Sequence, residues 1–528
     1  MKRLFTSVIL LFLIAGIAKA QSIYQPYNYQ FYQKLNEDVY STKTRVHSSL
    51  KPFMVDDSLL KVHYDSLMNA NGLKGRFFNE HQIDVKTANS TFYADLLPDL
   101  NVSRDFSNKR NTNFGTLGLQ IGGTFGDKFS YNIAGYENRA VLPNYLATYV
   151  NQVGVVPGQA YGAIYGNEYR WSYITGNVSY TPAKFLNLSA GRDKTFIGDG
   201  YRSLLLSDYA SPYPFFKLTA TLGNVRYMAM WSYFNDPLSV KVDNGDRKKF
   251  GVFHYLDWNV TDRLSLGFFD AVIWAAKDDQ GHSRGFDFTY LNPILFLRPV
   301  EASNGSPDNA LVGLTGKYKL TDGITAYGQF ALDEFESKNF FSSNGSSRNK
   351  YAWQFGIRGA NLFSVKGLNY LLETNNAKPY TYSERASVIN YAENGEPIGH
   401  PWGANFREVV ALLNYSYKRF DFSTEVDYGH YGLDKDGLNY GKDLFDPYID
   451  PAREFGNYTG QGLTTNMIYF EPKIAYLLNP KYNLRLELGG LIRSDKNSQF
   501  NDKTSMLTFG IRSSFRAVYN DIVSFRAH

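Results

Sequence analysis

Cysteine is absent from all 528 residues, which excludes disulfides, thiolate metal sites and the lipoprotein type of export signal, whose cleavage site requires one. A dominant charge is lacking too. The 55 Lys and Arg stand against 50 Asp and Glu, so there is no electrostatic ground for a nucleic-acid partner. Past Ile17 no apolar run reaches the roughly 18 residues that a transmembrane helix needs. The eight histidines form no H-E-x-x-H pair or other zinc spacing, and neither a metal nor a cofactor is expected.

What is present begins at the N-terminus. Met1-Lys2-Arg3 is a positive start, Leu4 to Ile17 is apolar except for Thr6, Ser7 and Gly16, and Ala18-Lys19-Ala20 has the A-x-A form of a cleavage site. Residues 1–20 are therefore expected to be a signal peptide for Sec export, with Gln21 as the mature N-terminus. Removing them leaves 52 basic against 50 acidic residues. Aromatic residues (41 Tyr, 39 Phe and 6 Trp) make up 16% of the chain, yet mean hydropathy is −0.35. That combination suits strands whose two faces meet different solvents. Without spanning helices, a membrane can be crossed only by a closed barrel.

Period-2 alternation supports this. Over 419–428, Phe420, Phe422, Thr424, Val426 and Tyr428 oppose Asp421, Ser423, Glu425 and Asp427. Over 482–488, Tyr482, Leu484, Leu486 and Leu488 oppose Asn483, Arg485 and Glu487; over 368–374, Leu368, Tyr370 and Leu372 oppose Asn369 and Glu373. Over 507–516, Leu507, Phe509, Ile511 and Phe515 oppose Thr508, Arg512, Ser514 and Arg516. One face per strand suits lipid and the other a wet lumen, although a soluble sandwich would alternate as well. From Tyr93 to Val518 about eighteen strands are predicted, an even number that returns the C-terminus to the side of the N-terminus. Their connections alternate strictly between short turns, such as 126–128, 261–263 and 321–323, and long segments such as 138–170, 194–212, 275–308, 375–404 and 430–463. Short periplasmic turns and long external loops are the pattern of outer-membrane barrels, whereas a sandwich has no reason to keep its long loops at one end. The predicted class is thus all-β, an antiparallel transmembrane barrel over 91–528 with long extracellular loops. Pro472 interrupts one strand and marks a lost ladder bond or a bulge. Residues 21–90 differ: Phe31, Leu35 and Val39 recur every four residues and 58–67 also accepts a helix, which predicts a partly helical periplasmic segment that plugs or supports the mouth.

Gly281-His282-Ser283-Arg284-Gly285 fits the G-x-S-x-G pattern, but it lies in a long polar loop with no helix pattern after it, so chance explains it better than a nucleophile elbow. Asp434-Lys435-Asp436-Gly437 opens like a calcium loop and then lacks the further ligands, leaving a solvated turn. A more specific series follows: Gly191-Arg192-Asp193-Lys194, then Gly198-Asp199-Gly200-Tyr201-Arg202-Ser203-Leu204-Leu205-Leu206-Ser207-Asp208, Tyr290-Leu291-Asn292-Pro293, Asp308 to Gly313, Tyr327-Gly328-Gln329 running to Asp333-Glu334, and Gly399-His400-Pro401-Trp402-Gly403 with Glu408. In this order, from about Arg192 to Asp446 with a weaker echo at 47–52, the series resembles the Wzi capsule-assembly family of outer-membrane proteins, and its RemB-like gliding-motility branch in particular. The resemblance implies a barrel with a small helical periplasmic part, capsular polysaccharide as partner, and a connection to surface export or motility machinery. Phe525-Arg526-Ala527-His528 departs from the usual terminal aromatic by three residues, which leaves the last strand open.

Placed by the loop pattern, Arg192, Asp193, Arg202, Asp208, Glu334, His400 and Glu408 are expected to gather near the external mouth. Tyr201, Asn292, Asp333 and Trp402 complete the candidate polysaccharide-binding set. Aromatic faces beside carboxylates and amides suit sugars, and guanidinium groups suit acidic ones. The alternative is that these residues fold the loops and satisfy one another. Four functions follow as expectations: a non-enzymatic outer-membrane binder or organiser of exported capsular polysaccharide, a diffusion channel, a component of adhesion or gliding machinery, and a hydrolase with Ser283 as its nucleophile.

Overall fold

The structure, a computed structural model, describes residues 23–55, 58–69, 72–293, 308–334 and 344–526. The expected signal peptide, part of the 275–308 loop and Ala527-His528 lie outside them. Eighteen antiparallel strands form the wall. They are β1 (Ser90–Asp105), β2 (Arg110–Phe125), β3 (Phe129–Val141), β4 (Glu168–Ala183), β5 (Leu186–Asp193) and β6 (Tyr213–Leu222); β7 (Val225–Asp236), β8 (Arg247–Asn259), β9 (Leu264–Ala275), β10 (Asn309–Thr321), β11 (Ile324–Glu334) and β12 (Lys350–Gly359); and β13 (Leu368–Ala377), β14 (Phe406–Tyr417), β15 (Phe420–Leu433), β16 (Leu463–Asn479), β17 (Leu484–Lys496) and β18 (Asn501–Arg512). Each pairs with its sequence neighbours, and β18 pairs with β1 from Met506↔Asp105 to Ile511↔Leu100, closing the barrel.

Alternation sets the two faces. Phe422, Val426, Tyr428, Leu372, Leu488, Leu507 and Phe509 are exposed on the outside, while Asp427, Glu373, Thr504 and their neighbours point inward and are buried. One end carries the turns, the periplasmic end in such barrels, and the other the long loops. The alternation of lengths is not strict, because the outer connections 106–109 and 497–500 are as short as the turns. Pro472 costs ladder bonds without a bulge. Pairing of β16 with β17 lapses between Phe470↔Ile492 and Lys473↔Gly489 in unchanged register.

The lumen is filled from both ends. At the turn end the segment 23–89 has its own core of Phe31, Leu35, Val39, Leu60 and Tyr64 on short helices. It is tied to the turns: Lys34 pairs with Asp421 at 2.7 Å, and the Thr42 N–H donates to Asp322 at 2.7 Å. From the loop end, 194–212 runs inward until Phe196-Ile197 pairs with Leu50-Lys51 of that segment. Leu204, Leu205 and Leu206 are wholly buried there among Met228, Met230 and Phe253.

Two expectations are corrected. First, β18 stops at Arg512, and Phe515 turns inward onto Phe31 at a ring distance of 5.1 Å instead of facing outward. The chain from Ser513 then threads the lumen toward the loop end: Tyr519 against Tyr209, Phe525 against Tyr149, and Arg526 on Asp443. Phe525 is therefore lumen packing and not part of the last strand, and the described chain does not stay on the turn side but runs as far as Arg526 at the loop end. Second, Phe286 to Pro293 lies on the outer wall. Outward-facing Trp231 donates its Nε1–H to Tyr290 O at 2.8 Å, Tyr227 donates to Pro293 O at 2.5 Å, and Trp274 packs on Tyr290 at 4.8 Å. Irregular backbone at lipid depth must find internal partners, and these side chains provide two. The outward-facing His254 and Asp270 of β8 and β9, 3.9 Å apart, are buried on the same face.

Candidate functional site

Arg202 centres the most ordered polar cluster. Its guanidinium is 1% exposed and reaches Glu408 at 2.9 Å, Asp427 at 3.5 Å and Asp521 at 2.5 Å, over the Tyr201 ring at 4.7 Å. The Trp402 N–H donates to His400 Nδ1 at 3.1 Å, which leaves the His400 Nε2–H to donate to Glu408 at 2.8 Å. The Trp402 indole N–H donates to Asp521 O at 3.1 Å. Glu373 on β13 accepts the backbone N–H groups of Tyr201 and Arg202 at 3.0 and 3.1 Å, plus the Tyr327 hydroxyl at 2.7 Å. Inward positions of four strands thus hold one turn of the 194–212 loop. Gly200 is there because a Cβ would sit 2.2 Å from a Glu373 oxygen.

Just below, Asp199 accepts from Tyr40 at 2.9 Å and Ser49 at 2.6 Å, and also from Ser48. Burial would raise its carboxyl, but the Lys317 and Lys51 charges and the two serine hydroxyls hold it below the usual range. In the 378–405 loop Glu396 accepts the Ser211 N–H at 2.9 Å and the Gly158 N–H at 2.7 Å. Burial still pushes its pKa up to about 7.

The expected gathering of candidates at the mouth is only partly met. Arg202, His400, Trp402 and Glu408 come together, but buried in the lumen, with half-buried Tyr201 beside them. Asp333 and Glu334 belong to a second cluster around Lys350, which also pairs with Glu384 at 3.1 Å. Asp193 accepts the Tyr24 hydroxyl at 2.5 Å, and Asp208 is buried beside Lys194, whose ammonium donates to Asp208 O at 2.8 Å. Arg192 is exposed on the outward face, in register with Gly176 and Pro214. Asn292 rides on the outer-wall strap. These two are corrections. Strand parity turns Arg192 outward, and the Tyr290–Pro293 turn packs on wall aromatics instead of the rim. Gly281 to Gly285 is a bend bridged at Lys277↔Ser283, followed by only a short 3₁₀ turn at Phe288–Leu291.

Sequence reasoning did not select Glu373, Asp427 or Asp521 for the site, although Glu373 and Asp427 already stood on polar faces. It also passed over exposed loop-end aromatics. Tyr161 (69% exposed) and Tyr165 (59%) project from the β3–β4 loop, and Phe455 (47%) and Tyr458 (56%) from the β15–β16 loop. Arg170 lies over Tyr165 at 4.8 Å and Arg453 over Tyr458 at 6.0 Å. Their signal was the run Tyr161-Gly162-Ala163-Ile164-Tyr165, aromatics without a strand's charged alternation.

No protein-family profile and no curated protein sequence matches the chain. Among solved structures it is similar to OprD of Pseudomonas aeruginosa (9% identity, 80% of this chain and 94% of that one, TM-score 0.43) and to OccAB2 of Acinetobacter baumannii (11% identity, 83% and 99%, TM-score 0.43), likenesses too slight to bear on function. It is more similar to Wzi of Escherichia coli, described as an outer-membrane protein involved in group 1 capsule assembly and a carbohydrate-binding β-barrel: 14% identity over 94% of this chain and 100% of that one, TM-score 0.55. At that identity the shared property is the fold, a closed antiparallel β-barrel, built in this chain from eighteen strands.

Proposed function

We propose that this chain is a non-enzymatic outer-membrane protein that holds exported surface polysaccharide at its loop end. The observation that carries the proposal is the filled lumen. Loop 194–212, the 23–89 segment and the tail meet inside the wall, which supports a platform more than a diffusion channel. Above the filled lumen stand the exposed Tyr161, Tyr165, Phe455 and Tyr458, whose ring faces suit stacking on sugar C–H groups, with Arg170 and Arg453 close by for acidic residues of a capsule. The likeness to a carbohydrate-binding barrel favours the same reading. In it, Arg202, His400, Trp402 and Glu408 shape the floor of the platform, and Asp193, Asp208, Asp333 and Glu334 anchor the segments beneath. Export proceeds by the Sec route with loss of residues 1–20, and 21–90 faces the periplasm.

The test is retention of the organism's own capsule or slime polysaccharide by cells carrying Tyr161→Ala, Tyr165→Ala and Tyr458→Ala together. The expected outcome is loss of surface-bound polysaccharide at normal protein level. Unchanged retention would overturn the proposal, and a motility defect with normal polysaccharide would favour the gliding role instead.

A further inference from the structure

A cavity of about 140 Å³ lies between the tail, the 23–89 segment and the inner faces of β14 to β17. At the roughly 30 Å³ that one water takes in the liquid it has room for about five. It begins beside exposed Gln30 and the Lys34–Asp421 pair, next to the 418–419 and 480–483 turns, and ends under Tyr201 and Asp521. It is therefore entered from the turn end, away from the loop-end platform.

The charged groups of its wall are already matched. Lys473 pairs with Glu471 at 2.7 Å, Arg485 with Glu487 at 3.0 Å, Arg512 with Glu487 at 3.4 Å, and Arg516 with Asp99 at 3.0 Å. Among the described lining residues, Glu425 Oε1 and Arg516 Nε are the charged atoms without a hydrogen bond, on side chains that already face an opposite charge or Tyr201, and the other unspent groups are neutral. Asn414 is 2% exposed, and neither its amide nitrogen nor its amide oxygen has a hydrogen-bond partner among the described residues; the Tyr469 hydroxyl, wholly buried, has none either. A buried amide with both functions unmet costs on the order of 1–3 kcal/mol per group, so this pair calls for an occupant that can donate and accept. Tyr29 and Tyr201, edge to face at 5.1 Å, supply ring surface, and the Tyr201 hydroxyl is fixed on Glu425 at 3.3 Å.

We infer that this cavity is a binding site for a neutral saccharide reached from the periplasmic side. A sugar ring offers the apolar C–H face that the tyrosines take and the hydroxyls that Asn414 and Tyr469 lack. The matched charges leave no surplus cation to favour a uronate. The site is separate from the loop-end platform and stands or falls without it.

The experiment is saturation-transfer NMR on the full chain in detergent micelles, with cellotriose, maltotriose, N-acetylchitotriose and trigalacturonate as probes. At least one neutral trisaccharide is expected to bind, and trigalacturonate is not expected to displace it. Asn414→Leu is expected to weaken that binding about tenfold, the equivalent of one lost hydrogen bond. Gln30→Trp, an exposed change at the entrance that leaves the wall intact, is expected to do the same and keeps the test valid if Asn414→Leu fails to fold. Tyr161→Ala with Tyr165→Ala is expected to leave it unchanged. No binding of any neutral trisaccharide, displacement by trigalacturonate, indifference to Gln30→Trp, or loss in the Tyr161/Tyr165 variant would each overturn the inference.

Discussion

At the scale of single residues, Arg202 is the most consequential side chain. One guanidinium faces Glu408, Asp427 and Asp521 in a site closed to water, with Glu373 and Glu425 nearby. Removing one partner of a buried ion pair typically costs about 3–5 kcal/mol, because the remaining charges lose their compensation. Arg202→Met is therefore expected to lower the unfolding temperature of the detergent-solubilised barrel and its resistance to urea, as followed by heat-modifiable migration on gels. Glu396 gives a pH signature. Its pKa is raised from 4.5 to about 7 in the folded loop, so the folded form holds the proton more tightly. Its stabilising contribution is complete below about 4.5 and disappears as pH climbs through about 7, a difference on the order of 3 kcal/mol. Between pH 5 and 8 the wild type is expected to lose thermal stability, and Glu396→Gln to flatten that slope. The residue types of this cluster were visible in the sequence as Gly198 to Asp208 and Gly399 to Glu408. Their partners were harder to see, because inward wall positions such as Glu373 and Asp427 are paired by barrel closure and not by sequence spacing.

At the scale of elements, the wall was legible because a strand between lipid and water must alternate. Phe420 to Tyr428 does so without a break, and Asp421, Glu425 and Asp427 turn inward as that pattern requires. Legibility ended where a segment leaves the wall. Phe515 alternates correctly with Leu507, Phe509 and Ile511, and nothing local marks that the ladder stops at Arg512. The Phe286 to Pro293 strap was misplaced for a related reason: its aromatics satisfy both a rim loop and an outer-wall packing, and Trp231 and Trp274 decide between them. The tail can be tested as an element. A chain ending at Arg512 loses Phe515 from the 23–89 core, Asp521 from Arg202 and Phe525 from Tyr149. In planar bilayers it is expected to show discrete open-channel steps where the full chain shows none. Equal currents from the two would mean that the tail does not obstruct the lumen.

At the scale of the whole molecule, the structure is a wall wide enough to enclose water that is packed with its own chain instead. Its hydrophobic core is unusual in position. The largest cluster runs from Leu50 through Leu204, Leu205 and Leu206 to Trp402 and Phe525, inside a shell whose outer side is also apolar. Sequence periodicity reports the shell and is silent on the filling, since Leu204-Leu205-Leu206 and Tyr380 to Trp402 carry no period of their own.

The contact between Phe31 and Phe515 has a consequence for the order of assembly. The helical segment near the start of the chain rests on a side chain that lies beyond the final strand, and Tyr40, Ser48 and Ser49 close on Asp199 from the same segment. Residues that leave the ribosome among the first thus cannot reach their final packing until the last ones have entered the lumen. The seam between β18 and β1 contains none of these residues, so closure of the cylinder does not require its stopper to be seated.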